Sequence, residues 1–208
     1  MAKHAAAGPA KGKQRRAQKM QDKRERILRA AVQLFASKGF HYTHTGEIAR
    51  QADIATGTLY LYFRSKDEVL LAAYEETMLS FITNVQALVE GAAGPERKLR
   101  DMIHLHLRTL EASPDVAHVL LIEVRQTGPE VKRRAFEIIE RYMHFIRRLI
   151  AEGVTQGAFK AIEPEIAAEM ILGALEQLAL RWLRGKSSYS LAAIADAAAD
   201  IFISGLRG

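Results

Sequence analysis

The sequence predicts an all-α protein of nine helices, and three features carry that prediction. From Arg24 onward apolar residues recur three and four apart, which lines one face of a helix in each segment. The interruptions carry helix punctuation, either Pro at a first turn or Gly just past an end. No stretch makes a convincing strand.

Composition sets the outer limits. A chain of 208 residues, 49% apolar and 26% charged, has room for one or two domains and a real core. With no cysteine, disulfides and thiolate metal sites are excluded. No apolar run approaches the roughly 20 residues that cross a bilayer. The basic N-terminus lacks the apolar segment of a secretory signal. These features point to a cytoplasmic protein.

Charge divides the chain unevenly. Residues 1–23 hold seven basic side chains against Asp22 alone, and residues 24–66 hold seven against Glu25, Glu47 and Asp53. From Asp67 onward 20 acidic residues outnumber 16 basic ones. A basic first third on a mildly acidic remainder suits a polyanionic partner for that third.

Taken in order, residues 1–23 show no periodicity and are expected to be a flexible basic arm, suited to DNA phosphate or the minor groove. Ile27, Leu28, Ala31, Leu34 and Phe35 then share one helical face, and Gly39 stops that helix. A second helix is expected after Thr45 as N-cap, burying Ile48 and Ala49. Asp53 and Ile54 form a turn, and a third helix runs from Thr56 to Tyr62. Two short helices across so tight a turn, the second bearing small, hydroxyl and aromatic groups, read as a helix-turn-helix for duplex DNA over residues 24–66. Ser65 to Glu68 is a capping box opening a long helix to about Val89. Residues 67–208 stay helical, with breaks at Ser113-Pro114, Thr127 to Pro129, Gly153 to Glu163 and Gly185 to Ser190. The last two helices run from Pro164 to about Arg184 and from Ser190 to about Ser204.

The stretch AVQLFASKGFHYTHTGEIARQADIATGTLYLYFRSKDEVL resembles the TetR family of bacterial transcriptional repressors. The likeness rests on Phe35 to Phe40, Thr45, Ile48-Ala49, Gly57 to Tyr60, Tyr62-Phe63 and Ser65 to Glu68. Two positions depart from the family pattern. Asp53 stands where Gly is common, a substitution that the left-handed backbone tolerates better from Asp than from most residues. Ala55 takes the place of a capping Ser or Thr, a loss of roughly 1 kcal/mol.

The resemblance implies roles residue by residue. Thr56, Gly57, Thr58, Tyr60, Leu61 and Tyr62 would face the DNA groove, Leu61 by apolar contact such as a thymine methyl. Thr43, Thr45 and Lys66, at helix starts, would hold phosphates. Residues 67–208 would form a ligand-binding and dimerisation domain. Its last two helices would pair with a second copy through Leu175, Leu178, Ala179, Trp182, Ile194, Ala198 and Ile201. A palindromic operator then places the two readers about 34 Å apart.

Leu121 to Gln126, Arg133-Arg134, Tyr60 to Phe63 and Gly157 are further similar to the family branch that represses fatty-acid degradation genes and leaves DNA on binding long-chain acyl-CoA. On that likeness Arg125, Gln126 and Arg133 would meet the phosphates of the effector. Leu105, Val119, Ile122, Phe136, Met143 and Leu175 would line its acyl tunnel, although each equally suits plain core. The alternative within the family is a sensor of multidrug-type or other hydrophobic effectors. An enzyme finds no support: there is no Cys nucleophile, phosphate-binding Gly loop or nucleophile elbow. The histidines lack metal-ligand spacing, so no metal and no cofactor beyond the effector is expected. An architectural DNA binder without ligand would show only salt-sensitive, sequence-independent affinity.

Overall fold

A computed structural model describes residues 9–207, so residues 1–8 of the expected arm lie outside the described residues. Among the described residues there are nine α-helices and no strand. They are α1 (Pro9–Lys38), α2 (Thr45–Gln51), α3 (Thr56–Leu59), α4 (Lys66–Glu90), α5 (Pro95–Ala112), α6 (Pro114–His118), α7 (Pro129–Thr155), α8 (Pro164–Leu183) and α9 (Ala195–Leu206). A π-helical turn (Val119–Glu123) and a 3₁₀ turn (Val124–Gln126) join α6 to α7. The chain forms two compact units, Met1–Ala73 and Tyr74–Gly208. The division falls inside α4, after Ala73.

In the first unit Ile27, Ala31 and Phe35 of α1, Ile48 and Ala49 of α2, Leu59 and Phe63 form the core. The Phe35 and Phe40 rings meet at 5.3 Å. Helix α1 begins at Pro9, not Arg24, so residues 9–23 are helical where a flexible arm was expected. The reason is cooperative. Ala, Lys, Arg and Gln propagate a helix at little cost once residues 27–35 have nucleated it by packing. Gln18–Asp22 and Gln21–Glu25 bonds of 2.8 and 2.9 Å, each four residues apart, add to this.

The turn after α2 shows how Asp replaces Gly. Asp53 takes the left-handed conformation with φ 52°. Arg26 of α1 donates to its carbonyl at 3.0 Å and to its carboxylate at 3.1 Å, and also to the Ala52 carbonyl. The side chain that costs backbone freedom thus gains a cross-helix partner. Helix α2 starts one residue earlier than expected, with His44 as N-cap and Thr45 inside the helix, and Glu47 accepts the His44 amide at 3.0 Å. Glu47 also pairs with Lys38, which holds its carboxyl below the ordinary value. At α4 the Ser65 hydroxyl accepts the Glu68 amide at 3.1 Å, as a capping serine should. Glu68 itself reaches one residue further back, to the Arg64 amide at 2.6 Å.

In the second unit α5 packs on α9 and α7 on α8. Leu99, Met102, Ile103 and Leu107 of α5 meet a core that includes Tyr142, Ile146, Ile150, Leu175 and Ala199. Gly153 allows one close approach: a Cβ there would lie 2.0 Å from the Phe159 ring, which folds back over α7. Glu111 closes α5 onto the last helix's lead-in, accepting from the Ser190 hydroxyl and the Leu191 and Ala192 amides at 2.9–3.1 Å. That segment holds a turn, so α9 starts at Ala195 instead of Ser190.

Candidate nucleic-acid interface and ligand cavity

Helix α3 is a single turn ending at Leu59, shorter than the expected Thr56–Tyr62, and its brevity sets which side chains turn outward. Leu59 and Phe63 are buried and anchor the segment, with the Arg24 guanidinium 5.4 Å over the Phe63 ring. Thr56, Gly57, Tyr60 and Leu61 are exposed, and Thr58 and Tyr62 are half-buried. Leu61 is 83% exposed. Ala55 caps α3 without a side-chain bond, as its sequence implies. Thr45 and Tyr60 share a hydrogen bond at 3.0 Å, which fixes the phenol beside the α2 N-terminus.

Two expected phosphate ligands face inward. Thr43 is buried, its hydroxyl donating to the Gly39 carbonyl at 2.9 Å. Its side chain is therefore withdrawn from the surface, while its neighbours Tyr42 and His44 are exposed. Lys66 lays its ammonium 4.4 Å over the Phe40 ring and donates to the Phe40, Thr43 and His41 carbonyls at 2.6, 2.9 and 3.3 Å. Desolvation lowers its pKa from the ordinary lysine value. With three donors on three carbonyls, Lys66 is an internal brace. Tyr42 is the aromatic that the sequence reading missed; Thr43 holds the buried register, which sends Tyr42 out. A shallow cleft beside Tyr62 is lined by Arg16, Lys19, Lys23 and Arg26 of α1, with Asp22 and Met20. The helical extension thus aligns cations next to Tyr62.

The second unit encloses an apolar cavity of about 50 Å³. Tyr74, Thr77, Met78 and Phe81 of α4 line it with His106, Thr109 and Leu110 of α5. Leu120, Leu121, Ile139, Tyr142, Leu172 and Glu176 close the far side. An outer groove shares Tyr74, Leu120, Ile139 and Glu176 with this cavity and adds Val124, Arg125, Lys132 and Phe136. The two spaces share these four residues as a common wall, the inner one largely apolar and the outer one bearing cations. Burial, then the nearby Glu176 carboxylate, pushes the Tyr74 phenol up to about 12.

Of the expected effector residues, Arg125 and Phe136 line the groove. Val119, Met143 and Leu175 are buried but do not border the cavity, and Ile122 is half-buried. Leu105 lines a different surface cleft, beside Arg97, Arg100 and Arg108. Gln126 is exposed, and Arg133 pairs with Glu130 and Glu137 on its own helix. The cavity's polar members, His106, Tyr142, Thr77 and Thr109, were missed. Periodicity marks His106: it continues the buried series Leu99, Met102, Ile103 along α5.

The expected dimer set divides likewise. Leu175, Ala179 and Ala198 are buried within the protomer, so they are not free to meet a second copy. Leu178, Trp182 and Ile194 are half-buried, and Ile201 is exposed. The outward apolar residues on α8 are Ile166 and Met170, with Gly173 beside them. Choosing the most apolar positions of a helix selects its core face; the partner face is the next-most apolar one.

Residues 27–73 match the family model for bacterial regulatory proteins of the tetR family, and residues 74–205 match that for the C-terminal region of YsiA-like proteins. The chain is 30% identical to the fatty acid metabolism regulator protein of Bacillus subtilis (strain 168), over 94% of this chain and 98% of that one. Among solved structures it is similar to the fatty acid degradation regulator FadR from Bacillus halodurans, with TM-score 0.83 and 30% identity, covering 88% of this chain and 99% of that one. It is equally similar to FadR from Bacillus subtilis in complex with stearoyl-CoA, with TM-score 0.84, 29% identity and the same coverage.

Proposed function

The chain belongs to the TetR family of bacterial regulatory proteins, and we propose that it is a dimeric repressor of fatty-acid degradation genes, released from a palindromic operator by long-chain acyl-CoA. It is not an enzyme, and it works in the cytoplasm; among the described residues no helix is long and apolar enough to cross a membrane. The observation that carries the effector reading is an apolar cavity that shares a wall with a groove bearing Arg125 and Lys132. An acyl chain needs the first and the phosphates of CoA need the second. The relative solved with stearoyl-CoA supports the same assignment.

The DNA is read by Thr56, Gly57, Thr58, Tyr60, Leu61 and Tyr62, with Tyr42 and the cations of α1 on neighbouring phosphate. Two copies pair through the outward faces of α8 and α9, around Ile166, Met170 and Ile201. A cavity of about 50 Å³ is far below the roughly 300 Å³ of an ordinary ligand site. Acyl-CoA would favour a conformation in which this cavity is opened and DNA a different one, which makes the two ligands antagonists by linkage. Helix α4 carries the coupling: it begins in the first unit and supplies Tyr74, Thr77, Met78 and Phe81 to the cavity. The test is protection of operator DNA, lost on addition of stearoyl-CoA at micromolar concentration. Release by cationic dyes and not by acyl-CoA would replace this reading with a multidrug sensor.

A further inference from the structure

The cavity contains one polar group out of keeping with its walls. His106 is buried, and its Nε2 has no hydrogen-bond partner among the described residues. Burial lowers its pKa to about 4, so the imidazole is neutral and offers one N–H and one lone pair. The other nitrogen, Nδ1, lies 3.3 Å from the Tyr142 hydroxyl. The two rings are stacked at 5.9 Å, with Phe81 edge-on to both at 5.6 and 5.1 Å. Phe81 and Tyr142 hold the imidazole in one orientation, although no partner among the described residues uses Nε2.

The tautomer follows from the neighbour. A phenol is a better donor than acceptor, and Nδ1 accepts when Tyr142 donates. The proton of the neutral ring then sits on Nε2, the nitrogen without a partner. A buried, unsatisfied donor costs about 1–3 kcal/mol, and replacing it with carbon would remove that cost. Its presence in a cavity lined by Met78, Leu110, Leu121 and Leu172 points to an acceptor arriving with the ligand.

We propose that the Nε2–H of His106 donates a hydrogen bond to the thioester carbonyl oxygen of the bound acyl-CoA, making His106 the residue that distinguishes a thioester from an equally long alkyl chain. The inference rests on the acyl-CoA reading above. Within an acyl-CoA the thioester carbonyl is the acceptor nearest the alkyl chain, so the bond sets how deep the head of that chain enters. A thioester carbonyl satisfies a donor that is already buried and unpaired, a gain that an analogue lacking the carbonyl forgoes.

Calorimetric titration of the full-length protein with stearoyl-CoA and with S-octadecyl-CoA, a thioether without the carbonyl, tests this. Wild type should prefer the thioester by about tenfold or more, a hydrogen bond's worth. In His106→Leu the two affinities should converge through loss of the thioester alone, the thioether binding as before. Because that variant orphans the Tyr142 hydroxyl, the pair His106→Leu with Tyr142→Phe serves as the matched apolar site and should behave alike. The carbonyl stretch of ¹³C-labelled stearoyl-CoA on wild type needs no variant, and should shift to lower frequency on binding. Equal wild-type affinity for both compounds, or an unshifted carbonyl, overturns the proposal and leaves the acyl-CoA reading standing. Failure of wild type to bind either compound overturns both.

Discussion

Arg125 and Glu176 meet at the outer groove: the guanidinium Nη2 donates to the carboxylate at 2.6 Å, while Nη1 holds the Leu121 carbonyl at 2.8 Å. The cation that suits an effector phosphate is thus already engaged by a residue lining both spaces. A phosphate must compete with that carboxylate. Glu176→Gln should therefore tighten stearoyl-CoA about three- to tenfold, and Arg125→Ala should weaken it by about tenfold. Operator release followed by fluorescence anisotropy reads both shifts. Movement of the two variants in the same direction would contradict the competition.

Gly57 separates DNA contact from folding. It is exposed in α3, and a Cβ there would meet nothing within 4 Å. Gly57→Ala should leave stability unchanged or raise it by about 0.5–1 kcal/mol. Operator affinity should fall at least tenfold if the proposed reading surface includes Gly57, since the added methyl would hold the backbone away from DNA. Thermal unfolding and anisotropy together check this; unaltered affinity would remove Gly57 from the interface.

Lys66 should behave as a structural residue. Its ammonium satisfies three loop carbonyls and rests on Phe40. Lys66→Met keeps the apolar stem but strands the carbonyls, so denaturant unfolding should show a loss of about 1–3 kcal/mol. A direct phosphate contact would instead lower DNA affinity, reduce the salt slope by about one and leave stability alone.

His106 gives stability a defined dependence on pH. Its folded pKa of about 4 lies below the ordinary value of 6.5, so the folded state favours the neutral ring. Stability is then fully present above 6.5, and it falls with pH toward 4 as the unfolded chain takes up the proton first. The loss is about 3 kcal/mol at most. His106→Leu should flatten that part of the profile measured by urea unfolding between pH 7 and 4. An unchanged slope would mean that other groups carry it.

The partner surface is open to a direct test. Met170 and Ile201 are 62% and 71% exposed, whereas Leu175 and Ala179 are fully buried. Met170→Glu should halve the solution mass measured by light scattering while the helical spectrum persists. Leu175→Glu should instead unfold the protomer, since it places a charge in the core. Retention of the full mass by Met170→Glu would exclude this face.

The helices and their order were legible because each boundary carries its own chemistry, as at Ser113-Pro114 and Gly128-Pro129. The start of α1 was not, since residues 9–23 gain helicity from packing further along the chain. In the helix-turn-helix, Leu61 and Tyr60 are exposed as the motif spacing implied, but Thr43 and Lys66 spend their polar groups on the fold's own carbonyls. That choice depends on loop geometry which spacing does not encode. The cavity was the least legible part. Val119, Met143 and Leu175 are as apolar as Leu120, Leu121 and Leu172, and only three-dimensional packing decides which set borders empty space. His106 was the readable exception, a polar residue in the buried register of α5.

The central claim joins one DNA site to one class of effector, and footprinting tests both at once. The full-length protein should protect a palindrome upstream of fatty-acid degradation genes, with two half-sites about one helical turn apart. Stearoyl-CoA at micromolar concentration should abolish that protection while free CoA leaves it intact. Protection that persists in saturating stearoyl-CoA, with the ligand shown to be bound, would contradict the account.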